Sequence, residues 1–239
     1  MKKIFFLALS LSSLSLHAQV SRPLALVYGG DGSCQEDCVT GAVAAAEAAG
    51  FGTEVVLPQN YNSTTFKGAV LWIQPGGYSV AQAQSMGSSM MKDVRNFVKN
   101  GGGYVGFCAG AFLSTSRIGT SGETGLGLIP GATTLYRALG YPTIEKMTFG
   151  SLKKEIYWEG GPYFKLSSSD LKKSEVMGKY SRTNQVGFVR AAYGKGRAYV
   201  TGAHPESPTW WKDYAKLIDH DGLDTDVTSE MFLWAAKLK

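Results

Sequence analysis

The run from Gly101 to Phe112 reads Gly-Gly-Gly-Tyr-Val-Gly-Phe-Cys-Ala-Gly-Ala-Phe. It forces a buried strand to stop and turn at once into a helix. Tyr104 to Phe107 form a short apolar strand, Ala109 to Leu113 begin a helix, and Cys108 sits at the junction. A side chain held up on such an elbow needs very small neighbours two residues to either side, and Gly106 and Gly110 supply them. The first turn of the following helix welcomes negative charge at the sulfur, and the NH of Ala109 is presented to a developing oxyanion. Cys108 is therefore the candidate nucleophile. The competing reading is a small, buried, inert cysteine after a core strand.

A nucleophile of this kind needs a base. Of three histidines, His17 lies in the amino-terminal apolar segment and His220 in the acidic run Asp219-His220-Asp221. His204 remains, in Thr201-Gly-Ala-His-Pro-Glu206 at the end of a predicted strand. Proline keeps the residue before it extended, and in an extended chain residues i and i+2 share a side. Glu206 can then orient the His204 ring while the other ring nitrogen faces Cys108. Ala69 to Gln74 form another buried strand, opening into Pro75-Gly76-Gly77, whose backbone offers a second oxyanion NH at Gly77.

Elsewhere the pattern alternates strand and helix. Strands are predicted at Leu24 to Tyr28, Thr53 to Leu57 and Ala69 to Gln74, with helices over Val39 to Ala49 and along the Met90, Val94, Phe97, Val98 stripe. After the glycine-rich stretch 119–131 the segments shorten into antiparallel candidates: Glu155 to Trp158, Tyr163 to Leu166, Val176 to Tyr180, Val186 to Tyr193 and Arg197 to Thr201. A helix over Asp224 to Leu238 closes the chain. The fold class is α/β, a doubly wound, mostly parallel central sheet with extra antiparallel strands in the C-terminal half. The net charge of +5 falls to +3 without Lys2 and Lys3, and the basic residues are scattered. A nucleic-acid partner is excluded on that ground.

The amino terminus, basic at Lys2-Lys3, apolar from Ile4 to Leu16 and small at Ala18, reads as a secretory signal peptide over 1–18, followed by one domain over 19–239. It is too short for a membrane span. Periplasmic or secreted localisation is the expectation. There, Cys34 and Cys38 are expected to form a disulfide. Pairing of one of them with Cys108 as a redox brake, or zinc held by both and a histidine, are the alternatives.

Pro75-Gly76-Gly77, the Cys108 elbow, Glu159-Gly-Gly-Pro-Tyr-Phe164 and Gly194 to Glu206 occur in an order that resembles the amino-terminal domain of eukaryotic biotin-protein ligases and its stand-alone bacterial relatives, within the class I glutamine amidotransferase-like superfamily. The resemblance implies a flavodoxin-like α/β sandwich with Cys108, His204 and Glu206 as a catalytic triad; neither a metal nor a cofactor is expected. It does not imply ligase chemistry, which belongs to a separate domain. Glutaminases of the superfamily usually carry Gln four residues after the nucleophile, where this chain has Phe112. An amide or similar acyl bond in a small-molecule or peptide-like substrate, other than glutamine, is the expected target. A catalytically silent binding module and a ThiJ-type redox or carbonyl-handling protein are the alternatives, the latter needing Asp31 as its acid. Asp31, Gly76, Phe112 and Tyr163 are pocket candidates, and Trp72, Tyr78, Trp158, Trp210 and Trp211 are further aromatics available to a pocket.

Overall fold

The computed structural model describes residues 22–239, so the expected signal peptide over 1–18 lies outside the described residues. β1 (Leu24–Tyr28), β2 (Gly52–Val56), β3 (Ala69–Gln74), β4 (Gly103–Phe107) and β11 (Gly196–Thr201) pair in parallel in the order β2-β1-β3-β4-β11. This is the flavodoxin-like strand order, with its reversal point between β1 and β3. Loops leaving the carboxyl ends of these two strands diverge there and open a crevice.

The parallel strands alternate faces residue by residue, and each face is apolar. Ala25, Val27, Leu71, Ile73, Val105 and Phe107 point to the side covered by α1 (Thr40–Ala48) and α5 (Thr225–Ala235), where they meet Ala42, Ala46 and Phe232. Leu26, Tyr28, Trp72 and Tyr104 point to the other side, covered by α2 (Ser79–Lys99) and α3 (Ala109–Ser114), where Met90, Val94, Val98 and Leu113 wait. Each fully buried Val, Leu, Ile, Phe or Met among them contributes about 1.5–3 kcal/mol. Burial on both faces is why these strands read as continuous apolar runs.

Beyond β11 the sheet continues antiparallel through β10 (Val186–Tyr193), β9 (Ser174–Tyr180), β6 (Thr143–Phe149) and β7 (Leu152–Trp158). β5 (Ala132–Leu135) and β8 (Pro162–Lys165) pair with each other, and β8 also touches β10. Three elements depart from the sequence reading. β5 and β6 follow the glycine-rich stretch, and β6 mixes Glu145 and Lys146 into its alternation, which hides it. α4 (Thr209–Tyr214) is only 6 residues long, too short for a periodic signal. Among the described residues no helix is long and apolar enough to cross a membrane.

Two glycine-bearing loops lock the antiparallel extension onto the parallel sheet. A Cβ on Gly161, after β7, would overlap the carbonyl oxygen of Gly202, after β11, and a Cβ on Gly202 would overlap that of Pro162. Here backbone packs directly on backbone. Gly161→Ala should therefore lower stability by on the order of 3 kcal/mol, as overpacking against unyielding backbone does. Gly52→Ala, whose Cβ would meet only Arg22 at 3.8 Å, should stay within about 0.5 kcal/mol. Urea titration of the two variants checks the contrast, and equal losses would contradict it.

Candidate active site

Cys108 occupies a backbone conformation that few non-glycine residues accept, φ 48° and ψ −100°. Such a conformation costs about 1–3 kcal/mol and persists only where its surroundings enforce it. The enforcement is visible. The Cys108 NH donates to the Thr201 carbonyl at 2.9 Å, fixing the end of β4 to β11. A Cβ on Gly106 would stand 2.7 Å from the Gly110 carbonyl carbon, and one on Gly110 would overlap the Gln74 carbonyl oxygen. The Tyr104 hydroxyl, buried beneath, donates to the Gly110 carbonyl at 2.8 Å. The glycines two residues before and after the cysteine thus let the turn close, as the sequence requires.

Buried amides hold the neighbouring loop. Trp72 Nε1 donates to Gln74 Oε1 at 2.8 Å, Gln74 Nε2 donates to Gln82 Oε1 at 3.0 Å, and Gln82 Nε2 donates to the carbonyls of Pro75 and Gly76, each at 3.1 Å. Gly77 has φ 128°, a value that favours glycine. Among the described residues no backbone carbonyl takes the NH of Gly77 or of Ala109. α3 has 6 residues, so the field at Cys108 comes from the free NH groups of its first turn rather than from a long dipole.

His204 follows β11, and its NH donates to the Tyr157 carbonyl at 2.8 Å. Pro205 and Glu206 form a turn, so the Glu206 carboxylate reaches the ring by folding back rather than along a continued strand. Nδ1 of His204 and Oε1 of Glu206 are 2.8 Å apart, with 4% and 0% of the side chains exposed. Burial disfavours the imidazolium, but the Glu206 carboxylate and then the Cys108 sulfur outweigh it, so the His204 pKa lies well above its ordinary value. Gly76 is required beside them: a Cβ there would stand 2.7 Å from His204 Cε1 and 2.9 Å from Cys38 Sγ. Tyr157 and Trp211 complete the collar, their rings edge-on to His204 at 5.9 and 5.5 Å.

Cys34 and Cys38 form a disulfide on the turn entering α1. Both line, with Cys108, Gly77 and His204, a cavity of about 400 Å³ over the carboxyl ends of the strands. Its walls are aromatic, built from Tyr78, Tyr141, Tyr157, Trp210, Trp211 and Tyr214, and it carries the carboxylates of Asp37 and Glu159. The Glu159 carbonyl lies 3.4 Å from Cys108 Sγ, brought there by the Gly161–Gly202 contact.

Several sequence candidates fall elsewhere. Asp31 is exposed and outside the cavity, whereas Asp37, farther along the same loop and also exposed, stands at its wall. Phe112 does not line the cavity and packs against the apolar cluster on the α2–α3 side of the sheet, so it supplies neither an amide nor a wall to the pocket. Tyr163 packs against the core beside Lys165, and Trp72 and Trp158 are core residues. Tyr78, Trp210 and Trp211 do line the cavity. Tyr141, Tyr157, Tyr214, Asp37 and Glu159 were not singled out for the pocket, although Glu159 opens the Glu159 to Phe164 motif, Tyr157 lies in the predicted strand before it and Asp37 stands between Cys34 and Cys38.

Residues 26–128 match the family model described as biotin-protein ligase, N terminal, a span that includes Pro75 to Gly77 and Cys108 and ends before His204. The biotin–protein ligase of Schizosaccharomyces pombe is 25% identical over 160 residues, covering 57% of this chain. That segment is 25% of the ligase, so the chain corresponds to about a quarter of its curated relative. PurLQS from Thermotoga maritima superposes with a TM-score of 0.63 at 18% identity, over 91% of this chain and 100% of that one. A crystal structure of a glutamine amidotransferase gives 0.59 at 18% identity, over 79% and 97%. At these identities the likeness is one of fold, and the fold is glutamine amidotransferase-like.

Because the His204 pKa is raised in the folded protein, the pair with Glu206 stabilises fully below about pH 6.5, the ordinary histidine value, and its contribution declines as the pH rises through the raised value. Glu206→Gln should cost about 1–3 kcal/mol near pH 6. The deficit should narrow toward pH 9, measured by urea unfolding at both pH values. A deficit that widens with pH would mean that His204 is neutral in the folded state.

Proposed function

We propose that this chain is a cysteine-dependent hydrolase of amide or similar acyl bonds. The observation that carries the reading is the Cys108 backbone, held at φ 48° beside a buried His204–Glu206 pair. Strain of this kind clusters at functional sites, and an inert core cysteine has no need of it. The sulfur attacks the carbonyl carbon, and its proton resides on His204. The oxyanion is received by the NH groups of Gly77 and Ala109. His204 then protonates the leaving amine, and water, deprotonated by the same ring, releases the acid and regenerates the thiol. Glu206 holds Nδ1 and supports the imidazolium without taking its proton.

Free glutamine is disfavoured as substrate, since Phe112 supplies no amide where glutaminases of this superfamily place one. A carbonyl-handling role is less favoured because Asp31, the acid it would use, stands outside the cavity. A silent binding module on the same fold keeps the cavity but leaves the strained elbow without a use. Export to an oxidising compartment fits the Cys34–Cys38 disulfide. The relatives' ligase activity is not carried over, because the chain matches only about a quarter of that enzyme.

Iodoacetamide should alkylate Cys108 at neutral pH faster than it alkylates a free model thiol, and His204→Ala should slow the reaction by at least tenfold. Equal rates in wild type and variant would remove the hydrolase reading and leave the binding module. Removing the disulfide with Cys34→Ser and Cys38→Ser should lower hydrolysis several-fold by loosening the wall beside Gly76 and His204, whereas Cys108→Ser should abolish it. A disulfide-free protein more active than wild type would show that the pair restrains the nucleophile.

A further inference from the structure

The chain as a whole is basic, with 24 Lys and Arg against 19 Asp and Glu, yet among the described residues neither lysine nor arginine lines the cavity over Cys108. Asp37 and Glu159 do, and neither carboxylate has an ion-pair partner among the described residues. The one cation present, His204, is already neutralised by Glu206. Glu159 accepts a hydrogen bond from the Tyr157 hydroxyl at 2.8 Å, which fixes its direction and leaves acceptor capacity free. The negative field reaches the surrounding phenols: after burial, the nearby carboxylates are what push the pKa of Tyr157 and of Tyr141 up.

Around the mouth stand rings that folding has not covered. Tyr78 is 80% exposed, Tyr141 72%, Trp210 48% and Tyr214 90%. Large aromatics left open around one cavity mark a binding surface. Ring faces attract cations, and attract them more strongly when water is displaced. Unpaired carboxylates and open rings around the same opening ask for the same ligand charge.

We propose that the substrate presents a positive group, ammonium or guanidinium, to Asp37, Glu159 and the aromatic rim while its acyl carbon lies over Cys108. The inference rests on the hydrolase reading for the position of the acyl group and adds the charge of the substrate. A basic amide, such as the amide of a cationic amino acid or a basic peptide end, fits the cavity. An anionic amide would meet two carboxylates with nothing to offset them.

The probes are Nα-acetyl-argininamide and Nα-acetyl-citrullinamide, which share a shape and differ in one charge. Binding to Cys108→Ala protein, in which turnover cannot interfere, is followed through quenching of the Trp210 and Trp211 fluorescence. The guanidinium probe should bind about tenfold more tightly than its neutral counterpart. Asp37→Asn combined with Glu159→Gln should bring the two within about twofold. Asp37→Asn alone, at an exposed position where the fold is not at risk, should already reduce the preference. Equal binding of the two probes overturns the proposal, as does binding of neither at millimolar concentration or tighter binding of maltotriose. Charge preference together with hydrolysis that survives Cys108→Ala would overturn the hydrolase reading and leave the cation site standing. Loss of hydrolysis in Cys108→Ala without charge preference would do the reverse.

Discussion

The turn at Cys108 is the constraint around which the rest of the molecule is arranged. A residue with a side chain is held at φ 48°, ψ −100°, and no local preference of cysteine supports that. The support comes from every direction at once: Gly106 and Gly110 let the chain cross itself, Gln74 backs the first turn of α3, and Thr201 fixes the end of β4. Rigid packing is what makes such strain durable, because close-packed interiors deform in steps rather than continuously. A softer scaffold would relax the turn and lower the sulfur into the core.

Much of this was legible in the sequence, for a physical reason. Strands buried on both faces read as unbroken apolar runs, so β1, β3 and β4 stood out, and an elbow needs glycines at fixed offsets, so Gly106 and Gly110 marked Cys108. His204 was legible at the end of a strand before proline, while Glu206 was placed beside it by an extended-chain argument that the turn at Pro205 replaces with a fold-back. The cavity was not legible in the same way. Tyr141, Tyr157 and Tyr214 come from three separate segments that only tertiary packing brings to one mouth, and nothing local distinguishes them from Trp72 or Trp158, which ended in the core. Phe112 and Asp31 misled for the same reason. Offset from a motif says how far along the chain a residue lies, while the direction of its side chain depends on which layer the helix or turn packs against.

The two halves of the molecule divide the labour. The parallel half builds the elbow and the Pro75 to Gly77 loop at the strand-order reversal. The antiparallel extension supplies Tyr157 and Glu159, and its junction with the sheet supplies His204. Gly161 and Gly202 join the halves where their backbones meet without side chains between them. That backbone contact sets where Glu159 and His204 stand relative to Cys108.

The same division sets the order in which the pocket can be assembled. The Cys108 strand and its parallel partners β1 and β3 leave the ribosome well before the segments that carry Tyr157, His204 and Glu206, and domains are synthesised from the amino terminus. Until β11 pairs with β4, the NH of Cys108 lacks its carbonyl partner and the sulfur has neither His204 nor the aromatic collar beside it. A chain cut short before β11 therefore holds Cys108 at the end of a strand that lacks its partner on that side, and the pocket over the sulfur closes only once the carboxyl-terminal segments have been made.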